Sequence, residues 1–143
     1  MEENLLKNLH ALAQLDRDAV GAYDDALERV TDDAVKEHFT EFRGEHMNHV
    51  EKLSRSIERL GGTAPQLEVV MMGMVAEWIV SFRSMMGEKG PLHAMHIAET
   101  YHNSRYAEAA SWNVGDDELA ALIQTFYGDE KEHLRYIDEM LAM

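Results

Sequence analysis

Two stretches of the chain read almost alike: FRGEHMNH at Phe42–His49 and FYGDEKEH at Phe126–His133. Each runs aromatic, any residue, Gly, acid, potential ligand, two spacers, His. Working outward, Gly44, His46 and His49 map onto Gly128, Glu130 and His133 at an offset of 84. Asp16, Tyr23 and Ala26 map onto Glu99, Tyr106 and Ala109 at an offset of 83. One shared offset across unlike residue types points to internal duplication. The extra residue falls near Val114–Gly115, where a loop absorbs an insertion at little cost. The copies differ at one chemically telling place: His46 stands opposite Glu130.

Both phrases lie on apolar stripes whose steps alternate between three and four, the seam of a bundle helix. The first stripe is Leu5, Leu9, Leu12, Asp16, Ala19, Tyr23, Ala26, Val30. The second is Val35, Phe39, Phe42, His46, His49, Leu53, Ser56, Leu60. Thr31 or Asp32 can cap the second helix, and Gly61–Gly62 ends it. Pro91 opens a third helix with Leu92, Met95, Glu99, His102, Tyr106, Ala109 and Asn113 in register. After VGDDE, a fourth carries Leu119, Ile123, Phe126, Glu130, His133, Ile137 and Met140.

Short links make each pair an antiparallel hairpin. The expectation is all-α: a four-helix bundle of two hairpins, about 3–60 and 91–142, in a single domain over 1–143. The crossover, about 62–89, holds QLEVVMMGMVAEWIVSFRSMM (Gln66–Met86), which reads as an extra helix. Glu77 and Arg83 interrupt it and it is short for a membrane span, so no membrane partner is expected. Its methionines suit packing on the bundle or on a second subunit.

Apolar residues make up 45% of the chain and charged residues 28%, an ordinary balance for a folded domain. A net charge of −14 repels a phosphate backbone and argues against a nucleic-acid partner. The chain has no cysteine, which excludes disulfides, zinc ribbons, iron–sulfur clusters and thiol catalysis. The N-terminal residues lack a basic segment and a small-residue cleavage site, so cytoplasmic residence is the expectation.

The informative residues are polar ones on the seams: Asp16, His46, His49, Glu99, His102, Glu130 and His133. The matching hairpins set them near one height. An unpaired ionised carboxylate in such a core costs several kcal/mol, and no Lys or Arg occupies the stripes at that level. Protonated histidines or bound metal would supply the cations. Glu130 and His133, three apart, offer an oxygen and an imidazole to one centre, a set suited to iron, manganese or zinc. His10, His38, His93 and His96 fall off the cluster. Gly44 and Gly128 suggest close helix approach.

On these residues the chain resembles the ferritin-like superfamily, particularly rubrerythrin and bacterioferritin. The family pattern is a carboxylate on the first helix, Glu-x-x-His on the second, a Glu on the third and Glu-x-x-His on the fourth. The resemblance implies terminal ligands Asp16 and Glu99, imidazole ligands His49 and His133, and a bridging Glu130. Tyr23 and Tyr106, each seven residues after a carboxylate, match tyrosines that hydrogen-bond across the bundle beside the metals, and are carried as the catalytic candidates.

Three departures stand out. Asp16 is shorter than the usual Glu. His46 replaces a Glu that bridges both metals, which lowers the ligand charge from four carboxylates to three and favours divalent iron. His102 stands where rubrerythrin has a further carboxylate, as a seventh ligand or a donor to one. The resemblance therefore implies two metal ions, iron first, with zinc, manganese or a mononuclear site as alternatives. It also implies reaction with oxygen or peroxide in an oxidative-stress or iron-handling role. Rubrerythrins carry a cysteine-ligated rubredoxin centre that this chain lacks, so an external electron donor is implied. A homodimer, rather than a hollow shell, is the expected assembly. Metal binding without turnover is the competing reading.

Overall fold

The four seams fold as four helices. A computed structural model describes residues 2–67 and 87–143, with α1 at Glu2–Arg29, α2 at Asp33–Arg59, α3 at Gly90–Ala110 and α4 at Asp117–Ala142. A single 3-10 turn, Gly87–Lys89, leads into α3. The extra helix expected around Gln66–Met86 falls almost wholly outside the described residues. Among the described residues, no helix is long and apolar enough to cross a membrane.

Local chemistry fixes the ends. Asp32 caps α2 by accepting from the Val35 N–H at 3.0 Å, and Asp116 caps α4 through Leu119 at 2.8 Å. Beyond α2 the chain turns through Gly61 at φ 92°, and the Gly62 N–H returns to the Ile57 carbonyl at 2.9 Å. A Cβ on Gly62 would lie 2.9 Å from Ile57 Cγ2 and 3.0 Å from Leu6 Cδ2, so both glycines are required.

α1 pairs with α2 and α3 with α4; between the hairpins, α1 meets α3 more closely than α2 meets α4. The buried residues follow the stripes, with Leu9, Tyr23, Phe39, Leu53, Met95, Tyr106, Ile123 and Phe126 shut off from solvent. They form two apolar clusters: one around Tyr23, Phe39, Phe42 and Met95, the other around Leu9, Leu53, Tyr106 and Phe126. The polar residues of the seams lie between these clusters.

Gly44 and Gly128 correct one expectation. Both are exposed, and among the described residues nothing stands within 4 Å of where a Cβ would be. Close approach of another described helix is not their reason, and no contact among the described residues explains the pair. Gly44→Ala and Gly128→Ala are each expected to stabilise the protein by roughly 0.5–1 kcal/mol, since Ala loses less entropy in a helix. The readout is a higher urea midpoint at constant slope; a lower midpoint would show that the site needs its bare backbone.

Candidate metal centre

Each helix delivers its polar residues to one layer because they occupy seam positions at one height. Asp16, His46, His49, Glu99, Glu130 and His133 are all buried there, and His102 lies at the edge. Ligand atoms of Asp16, His46, His49 and Glu130 fall within 4.8 Å of one another, and so do those of His46, Glu99, Glu130 and His133. His46 and Glu130, which stand opposite each other in the repeat, belong to both groups.

Asp16 reaches the layer despite its length. Its Oδ1 accepts from His46 Nδ1 at 2.7 Å and from His49 Nδ1 at 3.0 Å, and Tyr106 donates its hydroxyl to Oδ2. Glu99 accepts from His46 Nε2 at 2.9 Å through Oε1 and from His133 Nδ1 at 3.1 Å through Oε2. Glu130 Oε2 also lies 3.1 Å from His133 Nδ1. His102 Nδ1 is 3.4 Å from Glu99 Oε1, so it touches a candidate ligand and stands outside both donor groups. Tyr23 packs on Phe39, and its buried hydroxyl has no partner within hydrogen-bonding geometry among the described residues.

The repeated phrase is read across the bundle. His49 turns its Nε2 to Asp129 at 2.8 Å, and His133 turns its Nε2 to Glu45 at 3.3 Å. Phe126 stacks on His49 with centroids 4.0 Å apart, and Phe42 lies 4.3 Å from His133. The aromatic and the acid of each copy thus serve the histidine of the other. This orients both rings with Nδ1 inward, toward the carboxylates of the layer. Sequence reasoning missed Glu45 and Asp129, although the acid preceding each ligand was the available signal. It also missed Asn103, whose Nδ2 donates to the carbonyls of Glu99 and Glu130, both at 2.8 Å, and ties α3 to α4 at ligand height.

The model of a family described as a domain of unknown function, DUF2383, matches residues 4–111. The chain belongs to the DUF2383 family. No curated protein matches its sequence. Two solved structures share the fold. One is a ferritin-like, diiron-carboxylate protein from Bacillus anthracis, 18% identical over 98% of this chain and 96% of the other, with a TM-score of 0.78. The second is YcfI of Rhodopseudomonas palustris, whose description proposes a structural role; it is 17% identical over 96% and 93%, with a TM-score of 0.80. The fold of this DUF2383 chain is ferritin-like.

Electrostatically, the metal-free DUF2383 layer is a lattice of ions. Burial opposes charge on His46, but Glu130, Glu99 and Asp16 lift its pKa to about 10. Against the same burial, Asp16 and Asp129 lift His49 to about 9, and Glu99, Glu130 and Glu45 lift His133 to about 12. Burial also works against ionised Asp16 and Glu99, yet the histidines hold Asp16 down to about 2 and Glu99 well below its usual range. Glu130 goes the other way. Burial, with Glu99 and Asp16 adding to it, outweighs its histidine contacts and pushes it up to about 7. Burial and the neighbouring carboxylates keep Tyr23 and Tyr106 as neutral phenols.

Glu130 Oε1 is the test of fit for a cation. It is buried, has no hydrogen-bond partner among the described residues, and sits 3.5 Å from His46 Nδ1 and 3.9 Å from His49 Nδ1. A buried carboxylate oxygen left without a donor, beside two imidazoles and Asp16, is an unused ligand atom in a set that can hold a cation. The donor set fits a metal ion.

Glu45 and Asp129 supply a direct check on the crossed arrangement. Asp129→Ala and Glu45→Ala are each expected to weaken metal binding by roughly 10–100-fold, because an unheld ring loses both orientation and basicity. Competition against a chromophoric chelator measures this. Unchanged affinity in both variants would show that these acids, each with 31% of its side chain exposed, are merely solvated.

Proposed function

We propose that this layer is a di-metal carboxylate centre, with iron as its ion, which consumes oxygen or peroxide in oxidative-stress or iron-handling chemistry. The single observation that carries the reading is the orphaned Glu130 Oε1 in the middle of buried imidazoles and carboxylates. The name of the Bacillus anthracis protein with the same fold supports a diiron assignment. When bound, iron supplies the electrons and the Lewis acidity for reducing oxygen or peroxide.

The chain's own residues have separable tasks. Asp16 and His49 hold one side of the layer, Glu99 and His133 the other, and Glu130 offers an oxygen to each. Tyr106 fixes the rotamer of Asp16. Tyr23 keeps a neutral, buried phenol O–H beside His46 and Glu99, where it can donate a proton to the layer. The apolar clusters on either side keep bulk water out. With no cysteine in the chain, the reducing electrons are assigned to an external donor.

The test is elemental analysis of protein purified without added metal, followed by peroxide consumption in the iron-loaded form. About two irons per chain with a near-ultraviolet charge-transfer band, and turnover lost in Glu130→Ala, is the expected result. Roughly one zinc per chain and no turnover would replace it with the second reading, metal binding without catalysis. Three buried imidazoles in the layer suit zinc, and the description of YcfI leans the same way.

A further inference from the structure

His46 lies across the layer rather than on one side of it. Its Nδ1 faces Asp16 Oδ1 at 2.7 Å and Glu130 Oε1 at 3.5 Å, while its Nε2 faces Glu99 Oε1 at 2.9 Å. The ring is flanked by His49 and His133, with centroids 5.6 and 5.0 Å away. Each nitrogen therefore looks into a different donor group, and the ring belongs to both. Glu130 repeats the pattern in oxygen: Oε1 lies toward His46 and His49, Oε2 toward His133.

We propose that His46 ligates both ions at once, Nδ1 taking the ion held by Asp16, His49 and Glu130, and Nε2 the ion held by Glu99, His133 and Glu130. The inference rests on the di-metal reading above.

Charge supports it independently. The layer is sealed from solvent, so charge left over inside it is expensive. Asp16, Glu99 and Glu130 carry three negative charges against the four positive charges of two divalent ions. A His46 imidazolium that loses both N–H protons, one from each nitrogen as an ion takes its place, becomes an imidazolate anion and supplies the fourth. The His46 ring thereby restores the balance lost when a carboxylate is absent from its position, and a bound cation on each nitrogen is what makes the second deprotonation accessible.

The geometry has a measurable consequence. Two metal–nitrogen bonds of about 2 Å, diverging from opposite sides of one ring, set the ions roughly 6 Å apart. A pair that shares a single oxygen atom as its bridge sits at roughly 3.5–4 Å.

The experiment loads the full chain with iron(II) without oxygen, counts the ions, and measures their separation by anomalous scattering or X-ray absorption. Two ions roughly 6 Å apart, drawing together to roughly 3.5–4 Å in His46→Glu, is the expected result. Two ions already at the short separation in the unaltered protein would overturn the bridge and leave the di-metal centre standing. A single ion bound through one His46 nitrogen would also overturn it, as would a His46→Glu protein that keeps the long separation. No bound ion at all would overturn both the bridge and the metal reading beneath it. Should His46→Glu fail to fold, the separation in the unaltered protein decides alone.

Discussion

Replacing the Glu130 carboxylate with an amide, as Glu130→Gln, is expected to strengthen the metal-free fold while weakening metal binding by more than about 100-fold. The two effects have one cause. Burial raises the Glu130 pKa to about 7, so the folded protein resists its ionisation. The penalty is absent below about pH 4.5, grows between about 4.5 and 7, and is complete above. At pH 8 the amide removes it and keeps an oxygen facing His133, for a gain on the order of 2 kcal/mol. In the loaded protein the same carboxylate reaches both donor groups, so its loss exceeds the roughly 10–100-fold seen for residues that only orient a ligand. Urea unfolding at pH 8 with chelator present, set beside chelator competition, tests both halves. A variant less stable than its parent when metal-free would mean that Glu130 serves chiefly as a counter-ion for the histidines.

The second large effect is an opposite pH dependence of the metal-free and loaded forms. His46, His49 and His133 sit at about 10, 9 and 12, against about 6.5 in the unfolded chain. Their raised values stabilise the fold fully below about pH 6.5, and that contribution is lost as pH rises through about 9 to 12. Asp16, held at about 2, and Glu99, also depressed, contribute above their unfolded values and lose that contribution as pH falls toward about 2. With the Glu130 penalty entering between, the metal-free protein is expected to be most stable near pH 4.5–6.5 and to weaken steadily in base. Metal must displace the protons on these rings, so its affinity rises with pH. The difference in Tm between loaded and metal-free protein should therefore widen from about pH 6 to 9, and loading at pH 7 should release protons. Parallel Tm curves would contradict the lattice of protonated histidines.

Much of this architecture was legible in the sequence because a buried helix must write its seam at steps of three and four. Leu9, Phe39, Leu53 and Ile123 fall where the stripes put them, and so do the polar residues among them. Asp32 and Asp116 stop the links where capping chemistry requires. What the stripes do not contain is which atom of a side chain meets which neighbour. The seam placed His46 inward, but only the folded ring shows one nitrogen in each donor group. Glu45 and Asp129 lie off the seams, where an acid is ordinarily solvated. Their partners stand 88 and 80 residues away on the other hairpin, beyond any local pattern. Asn103 has no counterpart in the first hairpin, where Val20 stands instead, so the repeat could not flag it. Gly44 and Gly128 misled for a physical reason: a helical glycine invites the assumption of a close neighbour, and none stands beside either among the described residues.

The exchange of aromatic and acidic partners between hairpins bears on how the two copies came to differ. A lone hairpin would leave its own histidine unsupported, so such a unit could assemble this layer only as a two-fold pair of identical chains. Identity would then force the same residue into both central positions, two imidazoles or two carboxylates. Joining the halves in one polypeptide lifts that constraint, and the symmetry could break at the central pair without disturbing the mutual support around it.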